Sequence, residues 1–213
     1  MLRLKPLNHL HNKMSVLFVV LIILLGVAIV LTIAFPYIYR FVYRKKYREI
    51  YGHKVYRLAM NKDYYLINLL TLKSHDNSKL VIDHLMFANK FIYVFYDFYC
   101  EADLYGKSTD NSFLLKGKNK NSYVDNPVLI AKKQLKELSS IINLDESLFV
   151  PIALVNDSCN IINYDDKHSL VYIRKLKEAI RFYESKDVKP LNQEQMMYAV
   201  HDISCINLRD KKE

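Results

Sequence analysis

The sequence predicts an α/β or α+β domain, built on one central sheet with flanking helices, behind a single transmembrane helix. Three observations predict it. A charge-free apolar run lies near the N-terminus, aromatic and β-branched runs follow it, and helical patterns dominate after residue 126. Strand-like runs followed by helical ones read as a layered domain with a single sheet.

The apolar run is VLFVVLIILLGVAIVLTIAF, from Val16 to Phe35, and no charge occurs between Lys13 and Arg40. Twenty helical residues rise about 30 Å, the thickness of the hydrocarbon core. Lipid offers the backbone no hydrogen-bond partners, so the segment must be helical. Tyr37, Tyr39 and Tyr43 fall where an interfacial aromatic belt belongs, and Pro36 is expected to end or kink the helix. The core is too long for a cleaved signal peptide, no A-x-A-like site follows, and the next segment is basic. The first cysteine is residue 100, which argues against a lipoprotein. The reading is a tail over 1–14, an uncleaved anchor over 15–38 and a basic linker over 39–50.

The net charge of +9 invites a nucleic-acid reading, but its position favours a membrane. Residues 1–50 hold eight Lys and Arg against one Glu, and the rest of the chain holds 23 basic against 21 acidic residues. The partner this implies is the lipid bilayer, whose anionic surface gains about 1 kcal/mol from each nearby basic side chain. Before the apolar run stand Arg3, Lys5 and Lys13; after it stand Arg40, Arg44, Lys45, Lys46, Arg48, Lys54 and Arg57. The heavier side stays inside, so the domain is expected in the cytoplasm of a single-pass cell-membrane protein. Cys100, Cys159 and Cys205 are odd in number with no C-x-x-C, which predicts free buried thiols in a reducing compartment. The excess of Tyr, Ile, Asn and Lys fits AT-rich coding.

The domain is expected over 51–208, with a charged tail at 209–213. A juxtamembrane helix over 39–62 is expected to break near Gly52. Strands are expected over 64–72, 80–87 and 91–99, the last two forming a hairpin around Ala88-Asn89-Lys90. Residues 106–126 read as a polar loop. Its run Lys116, Lys118, Lys120 is a solvated face on one reading and a nucleic-acid contact on the other. Asn126-Pro127 opens a helix that runs to about Asn143, with Leu129, Ile130, Leu135, Leu138, Ile141 and Ile142 on its apolar face. FVPIALV at 149–155 is a buried strand. Residues 173–185 and 192–207 are amphipathic helices, the second opened by Asn192 with Gln195 three later.

No Gly-rich phosphate loop, G-x-S-x-G elbow or H-E-x-x-H is present. His201 and Cys205, four apart on one helix, read as packing residues without a second ligand pair. Asp83 is the informative residue, because an ionised carboxylate in an apolar strand is costly unless paired or metal-bound. Strict alternation puts Val81, Asp83, Leu85 and Phe87 on one face, and pairing Phe87 with Phe91 makes Asp97 a diagonal neighbour of Asp83. Two converging carboxylates are oxygen ligands for a hard divalent cation such as Mg²⁺. The competing reading is that each carboxylate hydrogen-bonds backbone or caps an element.

Ile82-Asp83-His84, then Ile92-Tyr93-Val94-Phe95, then Gly106 and Asn126-Pro127, together resemble the NERD domain, a nuclease-related family. The resemblance covers about residues 51–208 and rests on these short motifs. It implies a restriction-endonuclease-like fold, in which an Asp is followed by an E-x-K on the neighbouring strand; the acids bind Mg²⁺ and the Lys helps activate water. Asp83 matches the first acid. The E-x-K position reads Tyr96-Asp97-Phe98 or Asp97-Phe98-Tyr99, so the lysine is absent in either register, while Glu101 and Asp103 are nearby acids. Three readings follow. One is a degenerate, non-catalytic module that binds nucleic acid or a protein and needs no cofactor. Another is a divergent Mg²⁺-dependent nuclease or phosphodiesterase using Asp83, Asp97 and Glu101, with Asp83 and Asp97 on the metal. The last is a structural membrane-anchoring protein.

Overall fold

The computed structural model describes residues 8–74, 77–117 and 120–208, and side chains from Phe18 onward. Helix α1 (Asn8–Lys62) has one non-helical residue inside it, Lys46, at φ −117° and ψ 17°. The chain divides there into two compact units, the second beginning at Tyr47. The helix runs on through Pro36 and through Gly52, where the sequence suggested an end and a break. Gly52 serves close packing instead: a Cβ there would stand 3.3 Å from His84 Cε1.

In the first unit, the apolar stretch from Phe18 has a mean hydropathy of 3.2 and no buried residue. By length and composition this helix can cross a membrane. Phe35 stacks on Tyr39 and Tyr39 tilts against Tyr43, with centroids 6.1 and 5.6 Å apart.

In the second unit, the helical residues after Lys46 bury Tyr51, Val55, Leu58 and Ala59, a stripe at helical spacing. Strands β1 (Tyr65–Lys73), β2 (Lys79–Phe87) and β3 (Ile92–Phe98) follow as an antiparallel series. β4 (Asp103–Tyr105), β5 (Ser112–Lys116) and β6 (Asn121–Asp125) form a second antiparallel set. The expected polar loop over 106–126 is therefore largely a hairpin, closed where the Gly117 N–H donates to Lys120 O. Helix α2 (Pro127–Ile142) leads back to β7 (Phe149–Val155), parallel to β3. The short β8 (Asn160–Ile162) joins β4, and β9 (Leu170–Tyr172) joins β7. A 3₁₀ turn over Ile173–Lys175, α3 (Leu176–Glu184) and α4 (Gln193–Ile206) complete the described chain. The strands form two mixed sheets, β1-β2-β3-β7-β9 and β6-β5-β4-β8, where the sequence suggested a single central one; the second sheet is built from short strands that carry little sequence signal.

The capping chemistry matches the sequence pattern. The Asn126 side chain accepts from the Val128 N–H at 3.0 Å and donates to Asp110 O at 2.8 Å, with Pro127 in the first turn. The Asn192 side chain accepts from the Glu194 N–H. The larger core gathers Leu70, Leu72, Leu80, Ile82, Leu85 and Phe87 from the hairpins against Leu135 and Leu138 of α2. A smaller cluster holds Cys100, Leu104, Phe113, Val128 and Cys159.

Strict alternation fails at one place, and that place positions the site. Ile82 and Leu85 lie in the same core, as do Leu70 and the partly buried Ile67. An odd number of residues separates neither pair, so each strand resets its phase in between. The reset is at Leu69, whose φ of 53° puts a branched residue in the left-handed region. Cα pairing skips Leu69 and Asp83, although Asn68 pairs with His84 and Leu70 with Ile82. Asp83 and His84, consecutive in β2, are thereby both left off the face that Ile82 and Leu85 share.

Candidate functional site

The β2–β3 register is Phe87 with Ile92 and His84 with Phe95, one residue from the pairing the sequence suggested. The turn is longer than expected, closed by the Ala88 N–H donating to Phe91 O at 3.0 Å. His84, not Asp83, thus becomes the diagonal neighbour of Asp97. His84 Nε2 lies 3.1 Å from Asp97 Oδ2, and its Nδ1 lies 2.7 Å from Asn68 Oδ1. With the Nε2–H on Asp97, a neutral ring is satisfied if Asn68 presents its amide N–H to Nδ1, since the two ends of that amide are interchangeable. Both ring nitrogens of His84 are occupied, one by Asp97 and the other by Asn68.

Asp83 is buried and partnered. Its Oδ2 accepts from the Asp97 N–H at 2.9 Å, where the cross-strand ladder has ended, and its Oδ1 lies 3.8 Å from Arg48 Nε. Partial burial works against the Arg48 charge, but Asp83 and then Tyr47 outweigh it and raise its pKa. Burial, followed by the charge of Asp83, raises the phenol of Tyr96.

Asp97 is 3% exposed, and its Oδ1 has no hydrogen-bond partner. Burial raises its carboxyl pKa, against the opposing contribution of His84. The protonated form is thus favoured by folding. The stability this group supplies is complete below its unfolded pKa of about 3.9 and lost as pH rises through the folded value. Asp97→Asn removes that dependence. In thermal melts of the full chain, its stability relative to the parent should therefore improve from pH 4.5 to pH 8. A constant or falling difference would contradict the assignment.

The other sequence candidates do not join this group into a metal centre. Glu101 is exposed and accepts from the Tyr99 hydroxyl. Asp103 sits on the second sheet, its Oδ1 accepting from Asn160 Nδ2 at 2.8 Å. Among the described residues, no three His, Cys, Asp or Glu side chains gather so as to hold a metal ion. The donor set does not fit the Mg²⁺ that the family resemblance implies.

Lys116 belongs to β5, with Nζ 5.0 Å over the Tyr105 ring, and Lys120 lies in the β5–β6 turn. Lys118 lies outside the described residues. His201 and Cys205 are exposed, with Nε2 and Sγ 3.6 Å apart, because the buried stripe of α4 runs through Ala199 and Ile203 instead. They are not packing residues. Of the three free cysteines, Cys100 and Cys159 are buried as expected and Cys205 is exposed.

Sequence reasoning missed Arg48, Asn68 and His84. Arg48 reads in the sequence as membrane-flanking charge. His84 stood beside Asp83 in an otherwise apolar strand, and a turn one residue longer would have aligned it with Asp97. In comparisons with protein-family models, curated proteins and solved structures, this chain has no significant match.

Proposed function

We propose that this chain is a single-pass membrane protein whose C-terminal domain is a degenerate, non-catalytic nuclease-related module, acting by binding at the cytoplasmic membrane face. The observation that carries this reading is the internal commitment of Asp83. One of its oxygens is taken by the Asp97 N–H and the other faces Arg48. An acid bound to its own backbone and facing its own guanidinium is a poor ligand for Mg²⁺, which demands near-octahedral oxygen geometry. The position of the family's lysine holds Phe98 or Tyr99, and neither supplies a fixed positive charge for phosphoryl oxygens. The five-stranded mixed sheet, with the strand of Asp83 beside that of Asp97, supports the relationship.

The apolar helix and the basic residues after it support the anchor and its orientation. The full chain in detergent, incubated with single- or double-stranded DNA or RNA and Mg²⁺ or Mn²⁺, should leave the substrate intact. Metal-dependent cleavage would favour the phosphodiesterase.

A further inference from the structure

The two faces of the second sheet differ. Leu104, Phe113, Leu115, Val124 and Ile161 turn to the smaller core. The residues that alternate with them face the other way, and the register aligns them: Ile162 with Tyr105, Tyr105 with Leu114, and Leu114 with Tyr123. The result is an apolar row across four strands, about 14 Å long at the usual strand spacing. None of the four packs into the smaller core. Tyr123 is 75% exposed and the other three are partly exposed. A contiguous apolar row marks an interaction surface where scattered single residues do not.

The charges on this face select the partner. Lys116 and Lys120 stand at the β5–β6 turn, Lys116 with its ammonium over Tyr105, whereas Asp125 pairs with Ser112 at the opposite end. Asp103 lies beside Lys116, but its Oδ1 already accepts from Asn160. Residues 112–125 carry three lysines against one aspartate, and the remainder of 51–213 balances at 20 basic against 20 acidic residues. The positive excess is thus confined to one hairpin. That suits a surface of anionic headgroups, whereas a nucleic-acid strand is tracked by a longer basic groove. Tyrosine settles at headgroup depth, its ring in apolar surroundings and its hydroxyl in water. We propose that this face docks on anionic phospholipid, with Tyr123 and Tyr105 at headgroup depth and Lys116 and Lys120 on the lipid phosphates. This rests on reading the chain as membrane-anchored, which keeps a bilayer within reach, and names the partner of the domain's open sheet face.

The chain contains no tryptophan, so Tyr123→Trp places a single fluorescent reporter at an exposed position. The full chain is reconstituted in vesicles of phosphatidylcholine, with or without phosphatidylglycerol, whose acyl chains are brominated to quench nearby indoles. With phosphatidylglycerol, the emission should shift to the blue and be quenched; with phosphatidylcholine alone it should do neither. Tyr198→Trp, on α4 and 71% exposed before substitution, should stay unquenched in both. Lys116→Gln and Lys120→Gln, each combined with Tyr123→Trp, should lower the docked-to-free ratio roughly fivefold. No quenching with phosphatidylglycerol, equal quenching without it, equal quenching at positions 123 and 198, or no effect of the lysine changes would overturn the proposal. If a single-stranded oligonucleotide alters the emission and phosphatidylglycerol does not, the face binds nucleic acid instead. Failure of the chain to float with the vesicles would overturn the anchor, a result distinct from a floating chain that is not quenched.

Discussion

Gly106→Ala should destabilise the domain by about 3 kcal/mol, at the upper end of overpacking costs. A Cβ at this position would lie 2.2, 2.6 and 2.9 Å from Cδ1, Cε1 and Cγ of Phe113. Those atoms belong to a ring that is fully buried and edge-packed on Tyr164, with centroids 5.8 Å apart. The ring cannot swing away, because Leu104, Val128 and Cys159 share its cluster. For a domain of this size the loss corresponds to roughly 6–12 °C in melting temperature. Thermal denaturation followed by circular dichroism on the full chain measures it. Phe113→Ala removes all three clashing atoms, so the double variant should lose less than the sum of the two single losses. A melting temperature within about 2 °C of the parent for Gly106→Ala alone would contradict the packing.

Asp83→Ala should cost about 2–3 kcal/mol, because it strands the buried Asp97 N–H in addition to removing a charge-assisted hydrogen bond. Asp83→Asn should cost less, since its amide oxygen can still accept from that N–H. Arg48→Ala should cost under about 1 kcal/mol, because the Arg48 side chain is 62% exposed and its pairing is screened. This order, Ala at 83 worst and Ala at 48 mildest, distinguishes a carboxylate held for its backbone contact from one held for its ion pair. Equal losses in Asp83→Ala and Asp83→Asn would place the weight on charge instead. Urea unfolding of the full chain in one detergent gives all three values.

Much of the fold could be read from the sequence because its cues are local. Asn126-Pro127 and Asn192 mark helix starts through their own side-chain caps, and the runs around β2, β3 and β7 are long and apolar enough to declare strands. The short strands β4, β8 and β9 gave no such signal. Each has three residues, and their pairing depends on partners distant in sequence. β5 and β6 are short, and the lysine-rich connection between them reads as loop.

At the site, Asp83 and Asp97 stood out as charges in apolar strands, but what they touch did not. That depends on a one-residue register and on a phase reset at Leu69, and period-2 reasoning assumes neither. Arg48 was hidden for a different reason. Its charge belonged equally well to the membrane flank, and only the fold of the second unit brings it to Asp83.

We propose that the carboxylates of this domain serve structure and binding, not hydrolysis. The most direct test is a single cleavage assay on the full chain in detergent, with labelled single-stranded DNA and either Mg²⁺ or Mn²⁺, run beside Asp83→Asn and Asp97→Asn. Intact substrate with all three proteins is the result expected. Metal-dependent cleavage by the parent that both variants lose while remaining folded would contradict it.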